Sequence, residues 1–330
     1  MVVSIRDVAE RAGVSVGTVS NVLNRPGAVA EDTVRRVRGA IDELGYVRND
    51  AARQLRAGRS TTVGLIVLDA RNPFFMDVAR GAEDEAAARG LSVIVGNSGE
   101  QADREAAYLS LFEEQRVRGV LVSPIGGELE RLARLRDKGT PVVLVDRGAP
   151  GSGFSFVAVD DERGGYLAAR HLLDRGRRRI AYVGGPEDLR QVADRLAGAR
   201  RAVAEVPGAS LEAVFRSALT VLEGRAAGDA LAARGADRPD AVFAANDLLA
   251  IGVMQALVMT RDIRVPDDVA LIGFDDIDFA QSAVVPLSSV RQPSHLIGAT
   301  ALGLLADAAD GAAPREIQFE PELVIRASTE

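Results

Sequence analysis

The chain has 330 residues, 47% hydrophobic and 26% charged, proportions that exclude a disordered polypeptide and leave room for two or three domains. Cysteine is absent, which excludes disulfides and thiolate metal sites; with no run of about 18 apolar residues and no apolar leader, a cytoplasmic protein without a cofactor is expected. The net charge of −7 speaks against nucleic acid only as an average, because residues 1–60 hold ten arginines against seven Asp/Glu, a net of +3 that leaves −10 for the rest.

In the basic head, Ile5, Val8, Ala9 and Ala12 recur at helical spacing, and Gly13 interrupts them. Ser15 is a natural N-cap for a second helix, with Val19, Val22 and Leu23 inward and Val16, Gly17, Ser20 and Asn21 outward. A third helix is expected with Val34, Val37, Ile41 and Leu44 inward and Arg35, Arg36 and Arg38 outward. Helix, glycine turn, short helix and supporting helix make a helix-turn-helix pattern. The second helix carries short polar groups without Glu or Lys, and such groups can approach phosphates and base edges. The alternative is a small three-helix domain with a Ser/Thr-rich face.

Residues 49–58 read as a short helix with Asn49 as cap and Gly58 as stop, too short to be stable alone. Leu55 stands among arginines there. It is either a linker leucine resting on the body or an apolar wedge for a minor-groove step.

The body alternates apolar strands with amphipathic helices. Strands are expected at 62–69, 91–97, 117–123 and 142–146, with helices at about 74–89 and 103–115. The pattern restarts after Val159, with His171 in a helix, strands at 179–184, 241–245 and 269–274, and helices at 190–204 and 248–257. This is an α/β body of parallel sheets with helices on both faces. Ligands bind such sheets beyond the carboxyl ends of the strands. Polar pairs stand at those ends: Asp69 with Asn72, Asp146 with Arg147, Asp160 with Asp161, Asn246 with Asp247, and Asp275 with Asp276. One such pair is more often a helix cap than a ligand contact, and Asn246-Asp247 reads as a cap; five are harder to dismiss.

The run from Ile5-Arg6-Asp7-Val8-Ala9 through Ala12-Gly13-Val14-Ser15-Val16-Gly17-Thr18-Val19-Ser20-Asn21-Val22-Leu23-Asn24 closely resembles the head of the lactose-repressor family of bacterial transcription regulators. The resemblance implies that Val16, Gly17 and Asn21 face base edges, and that Ser15, Thr18, Ser20 and Asn24 contact or position phosphates. It implies a hinge helix whose Arg53, Leu55 and Arg56 meet DNA, with Leu55 as wedge and Arg56 in the minor groove. Arg48 stands where the family usually has proline.

The body resembles the family's effector domain, itself similar to periplasmic sugar-binding proteins. Asn72-Pro73-Phe74-Phe75, Val183-Gly184-Gly185-Pro186, Arg195-Leu196-Ala197-Gly198, Ala245-Asn246-Asp247, Ile272-Gly273-Phe274-Asp275-Asp276 and Ser289-Val290-Arg291-Gln292-Pro293 carry this resemblance. It implies an effector site at Phe74, Asp146, Arg195, Asn246 and Asp275, with Phe75 there or in the core. Near Leu219, relatives often carry an aromatic residue that stacks on the ligand.

The implied organisation is a head at 1–47, a hinge helix and linker at 48–60, and an effector-binding and dimerisation body at 61–330. Lobe one takes about 61–159 plus 293–319, and lobe two about 160–292 plus 320–330. The expected protein is a homodimeric repressor on a palindromic operator, controlled by a sugar or sugar derivative, with a nucleobase or other small-metabolite co-repressor as the alternative. The first helix of lobe one and Leu111-Phe112 are expected interface material. An enzyme is not expected. The chain has no G-x-G-x-x-G, no P-loop, no cysteine and only two histidines, His171 and His295. A secreted solute receptor would have no use for the head.

Overall fold

The computed structural model describes residues 3–46, 60–126 and 129–330. The expectations for Arg48, Arg53, Leu55 and Arg56, and for the hinge helix, lie outside these residues. The chain divides into two units, residues 1–60 and 61–330.

The first unit is three helices, Ile5–Ala12, Val16–Asn24 and Glu31–Leu44. The first opens on a reciprocal cap: Ser4 Oγ accepts the Asp7 amide while the Asp7 carboxylate accepts the Ser4 amide. It stops at Gly13, whose φ of 64° is easy only for glycine. Val8, Val19 and Val37, one from each helix, are fully buried against one another's neighbours. Val16 differs from the expected exposure. It is half-buried against this core, while Gly17 and Asn21 are exposed.

The second unit holds two six-stranded sheets. Sheet one takes β1 (Thr62–Val67), β2 (Ser92–Asn97), β3 (Val120–Val122), β4 (Val142–Val145) and β5 (Ser155–Val159), and is completed by β11 (Glu316–Phe319). Its order is β11-β5-β4-β3-β1-β2, parallel throughout. Sheet two takes β6 (Arg179–Gly184), β7 (Ser210–Phe215), β8 (Ala241–Ala244), β9 (Ala270–Asp275), β10 (Ser288–Arg291) and β12 (Glu322–Val324), in the order β12-β10-β9-β8-β6-β7.

Alternation along the strands explains the continuous apolar runs. Val63, Leu65 and Val67 of β1 enter one core cluster, and Ile66 enters the other. Leu121, Val143 and Val157 follow the first set, and Val120, Leu144 and Phe156 the second. Both faces of sheet one are therefore covered along its inner strands β1, β3 and β4, which read as continuous apolar runs, while the edge strands β2 and β11 keep exposed and polar positions. Phe112 belongs to this core rather than to an interface. Its ring lies on β1 at Gly64, where an added Cβ would come within 2.4 Å of it. Leu111 remains exposed.

The second sheet is mixed rather than wholly parallel, because β12 runs antiparallel to β10. The physical reason is the length of the connection. β11 ends at Phe319 at the carboxyl edge of sheet one and β12 begins at Glu322, too short a link to carry the chain back to the amino edge of sheet two, where a strand parallel to β10 would start. β12 thus enters sheet two at the end where the other strands finish. The backbone passes between the sheets three times, near 160, 292 and 320. Two of these passages are tied, since the Asp160 amide donates to the Phe319 carbonyl at 3.0 Å.

One helix pair sets the position of the future site. Helices Asp161–Asp174 and Arg190–Ala204 approach so closely that a Cβ on Gly165 would lie 1.9 Å from the Arg195 carbonyl oxygen. A Cβ on Gly198 would lie 1.8 Å from the Glu162 carbonyl oxygen. Only glycine permits this backbone contact, which brings Asp161 and Arg195 together.

Candidate effector cleft and recognition helix

A narrow cleft lies between the two lobes at the carboxyl ends of the strands, with free space of only about 30 Å³ in this arrangement of the lobes. Lobe one lines it with Asp69, Asn72, Phe74, Phe75, Glu100 and Asp146, and lobe two with Gln191, Arg195, Leu219, Asn246 and Asp275; Leu68, Leu189 and Val192 complete the apolar wall. Phe74, Asp146, Arg195, Asn246 and Asp275 are therefore brought to one place. Phe75 joins them, its ring edge-to-face with Phe74 at 5.0 Å between centroids.

Each polar side chain is held by a local cause. Asn72 caps the helix Pro73–Ala88 through its Oδ1, which accepts the Phe74 amide at 3.1 Å. Its Nδ2 crosses the cleft and donates to Asp275 Oδ2 at 2.9 Å, while Gln292 donates to Asp275 Oδ1 at 2.8 Å. In the other direction, Gln191 of lobe two donates to the Asp146 carbonyl at 2.7 Å and to Asp146 Oδ2 at 2.9 Å. Asp146 Oδ1 is buried and has no hydrogen-bond partner among the described residues. Asn246 caps the helix Asp247–Met254, its Oδ1 accepting the Leu249 amide at 2.9 Å.

Arg195 is held on two sides and by a ring. Nε donates to Asp161 at 2.7 Å, a second nitrogen donates to the Ala245 carbonyl at 2.7 Å, and the guanidinium lies 3.6 Å from the centroid of Phe274. Asp275 Oδ1 stands 3.9 Å from it. Asp275 itself adopts φ 103°, a conformation that a side-chain-bearing residue avoids. Asp247 holds the turn that imposes it: it accepts the Ile277 amide at 2.9 Å and the Ser289 hydroxyl at 2.6 Å. Asp160 and Asp276 point elsewhere; Asp160 caps its helix and Asp276 pairs with Arg291 and Arg326.

Burial sets the electrostatics. It raises Asp146 well above the ordinary carboxylate range, and repulsion from Asp161 adds to this. Burial also pushes Asp161 up to about 6 against the pull of Arg195, and raises Asp275. Glu100 rises to about 7, first by burial and then by repulsion from Asp69. Hydroxyl groups suit such a lining, since each can donate to a carboxylate and accept from an amide.

Glu100 and Gln191 were not legible as site residues in the sequence. Glu100 follows the carboxyl end of β2, so the rule that singled out the other strand ends would have reached it. Gln191 had no such signal, being one polar residue of an amphipathic helix.

In the head, Ser15 and Thr18 are turned to each other, with hydroxyl oxygens 2.9 Å apart, and Ser15 accepts the Thr18 amide at 3.1 Å. Asn24 donates to the Ser20 carbonyl at 2.8 Å and to its hydroxyl at 3.2 Å. These four side chains stiffen the second helix, and Gly17 and Asn21 stay open to solvent. His171 bonds Thr329 at 2.8 Å and His295 bonds Asp84 at 2.9 Å, each far from the cleft lining. No helix among the described residues is long and apolar enough to cross a membrane.

A helix-turn-helix unit and a two-lobed ligand cleft in one chain define a class, the DNA-binding regulators. The bacterial regulatory proteins of the lacI family match residues 4–49, and the periplasmic binding protein-like domain matches residues 169–329. The HTH-type transcriptional repressor PurR of Vibrio campbellii is 35% identical over 332 residues, spanning 98% of this chain and 97% of the relative. The structure of a complex of the transcriptional regulator CelR with cellobiose is 33% identical, covers 99% of each chain and superposes with a TM-score of 0.72. The lac repressor dimer bound to operator and the anti-inducer ONPF is 25% identical, covers 100% of this chain and 99% of its own, and has a TM-score of 0.84. The chain belongs to the lacI family. It is a DNA-binding transcriptional repressor and not an enzyme.

Proposed function

We propose that the cleft binds a sugar or sugar derivative, and that binding lowers the affinity of a homodimer for a palindromic operator. The observation that carries the ligand reading is the buried Asp146 Oδ1, unpartnered among the described residues, in a cavity lined by further carboxyl and amide groups. Such a group costs stability until a ligand hydroxyl meets it. The wall supports the same reading. Phe74 and Phe75 offer aromatic surface from lobe one only, and lobe two answers with Leu219. A sugar ring needs one aromatic face, whereas a planar base is best held between two. A nucleobase-type effector stays as the second reading, supported by the full-length similarity to repressors named PurR.

The dimer reading rests on apolar surface without a partner. Leu222, Met259, Phe279 and Val284 are 78%, 70%, 57% and 68% exposed in lobe two, around a groove lined by Ile251 and Met254. Clustered exposure of this kind marks an association surface. The lac repressor relative is described as a dimer on its operator, and two recognition helices match a two-fold site.

The test is operator affinity by fluorescence anisotropy at fixed salt, with and without saturating saccharide. A coupling of about 1–3 kcal/mol is expected, and Asp275→Ala should remove the saccharide response while operator binding persists. Unchanged operator affinity with a saccharide that demonstrably binds would sink the coupling.

A further inference from the structure

The ligand reading can be taken further at Glu100, and the step rests on that reading. We propose that Glu100 is a specificity-determining residue of the cleft, accepting a hydrogen bond from a neutral, hydroxyl-bearing effector and excluding effectors that carry a phosphate or carboxylate.

Three observations converge. First, the backbone of Glu100 is fixed at the edge of the cleft. It lies in the left-handed region at φ 59°, and its amide donates to the Leu68 carbonyl at 3.0 Å. Asn97 braces the same turn, its Oδ1 accepting the amides of Gly99 at 3.1 Å and Ala70 at 3.2 Å. The side chain lines the cavity, and the Leu219 amide of the other lobe favours its charged form.

Second, negative groups outnumber positive ones in the lining among the described residues. Among the described residues, four carboxyl groups border the cavity, from Asp69, Glu100, Asp146 and Asp275, against one cation, Arg195. That guanidinium is already bonded to Asp161 and the Ala245 carbonyl and rests on Phe274. Arg71, beside the mouth, is committed to Asp69 at 2.8 Å. An anionic ligand would be desolvated here against four carboxyl groups, with one cation already paired to Asp161.

Third, the unmet need is hydrogen-bonding, not charge. Asp146 Oδ1 is buried and unpartnered among the described residues, and burial favours its protonated form. A hydroxyl satisfies that oxygen in either protonation state, as donor or acceptor. The ionised phosphate or carboxylate of a charged sugar adds acceptors and negative charge that an ionised Glu100 cannot meet.

The test uses the full-length protein and titration calorimetry. The probes are cellobiose, glucose, galactose and ribose, with glucose 6-phosphate, ribose 5-phosphate and glucuronate as charged counterparts, and hypoxanthine and guanine as bases. A neutral saccharide should bind at least about tenfold tighter than its charged counterpart. In Glu100→Gln, and in Glu100→Ala as a second variant, that ratio should shrink at least threefold. A charged sugar that binds the parent as tightly as its neutral form overturns the role of Glu100 and leaves the sugar reading standing. An unchanged ratio in both folded variants does the same. Binding by a base and by no saccharide, or by no probe at all, overturns the sugar reading and this proposal with it.

Discussion

The head and the body solve the same problem, how to carry charge on a folded chain, in opposite ways. The head keeps its charge outside. Its core is seven small side chains from three helices, and its Arg11–Glu43 pair is more than half exposed on both partners. The body buries charge. Arg195, Asp146, Asp161, Asp247 and Asp275 are all at most 8% exposed. Buried charge is tolerated only where partners and geometry compensate, so such clusters mark places built for binding. The head presents its surface to a large partner and can leave its polar groups in water until contact. The cleft must be prepared in advance, because a small effector contributes few groups of its own.

The sharpest way to break this comparison is to delete one cation from each pair. Arg195→Ala leaves Asp161 buried and unpaired, so the body should lose about 3–5 kcal/mol in urea or guanidinium melts. Arg11→Ala should leave stability within the scatter of the same measurement, as exposed pairs do. Equal losses would mean that burial is not what separates the two regions.

Gly198→Ala sharpens the same point without touching charge. The new methyl would run into the Glu162 carbonyl, which is backbone and cannot swing away. A loss of about 1–3 kcal/mol is expected, with a weakened saccharide response as Arg195 is pushed from Asp161. Gly39→Ala in the head, where a Cβ meets nothing within 4 Å, should be neutral or stabilising.

The smallest effect is the pH dependence. Glu100 at about 7 and Asp161 at about 6, with Asp146 and Asp275 also raised, bind protons more tightly folded than unfolded. Their contribution is fully present below the unfolded carboxylate range and is lost as pH rises through about 6 to 7. Around Glu100, Asp69 and Asp188 oppose its ionisation, while Arg71 and the Leu219 amide favour it. The melting temperature of the body should therefore fall between pH 5 and pH 8, and Glu100→Gln should flatten that fall. In the head, Asp7 is lowered by the Ser4 amide and hydroxyl, so its contribution disappears on the acid side instead. A body transition that rises over the same range would contradict the burial argument.

What the sequence determined by itself is whatever depends on near neighbours. The head helices follow from spacing of three and four residues, from Ser15 as cap and from Gly13 and Gly45 as stops. The helix at 190–204 and the strand at 179–184 were legible for the same reason. The polar residues at the ends of β1, β4, β8 and β9 were legible because parallel sheets place ligands there. The strand β7 and the helix Val221–Ala232 escaped, their patterns being half-exposed or rich in alanine and glycine.

Tertiary structure decided the rest, because the deciding contacts join residues far apart in the chain. Asn72 and Asp275 meet across 203 positions, and Gln191 and Asp146 across 45. Neither amide carries a local pattern that announces its partner. The antiparallel course of β12 depends on a chain that crosses between lobes in two residues. The state of Glu100 depends on Asp69, Arg71, Asp188 and Leu219, four residues from three separate segments of the chain. Local propensity can mark a carboxylate at the end of a strand. Its charge and the ligand it can accept follow from what the other lobe brings against it and how much water is left between them.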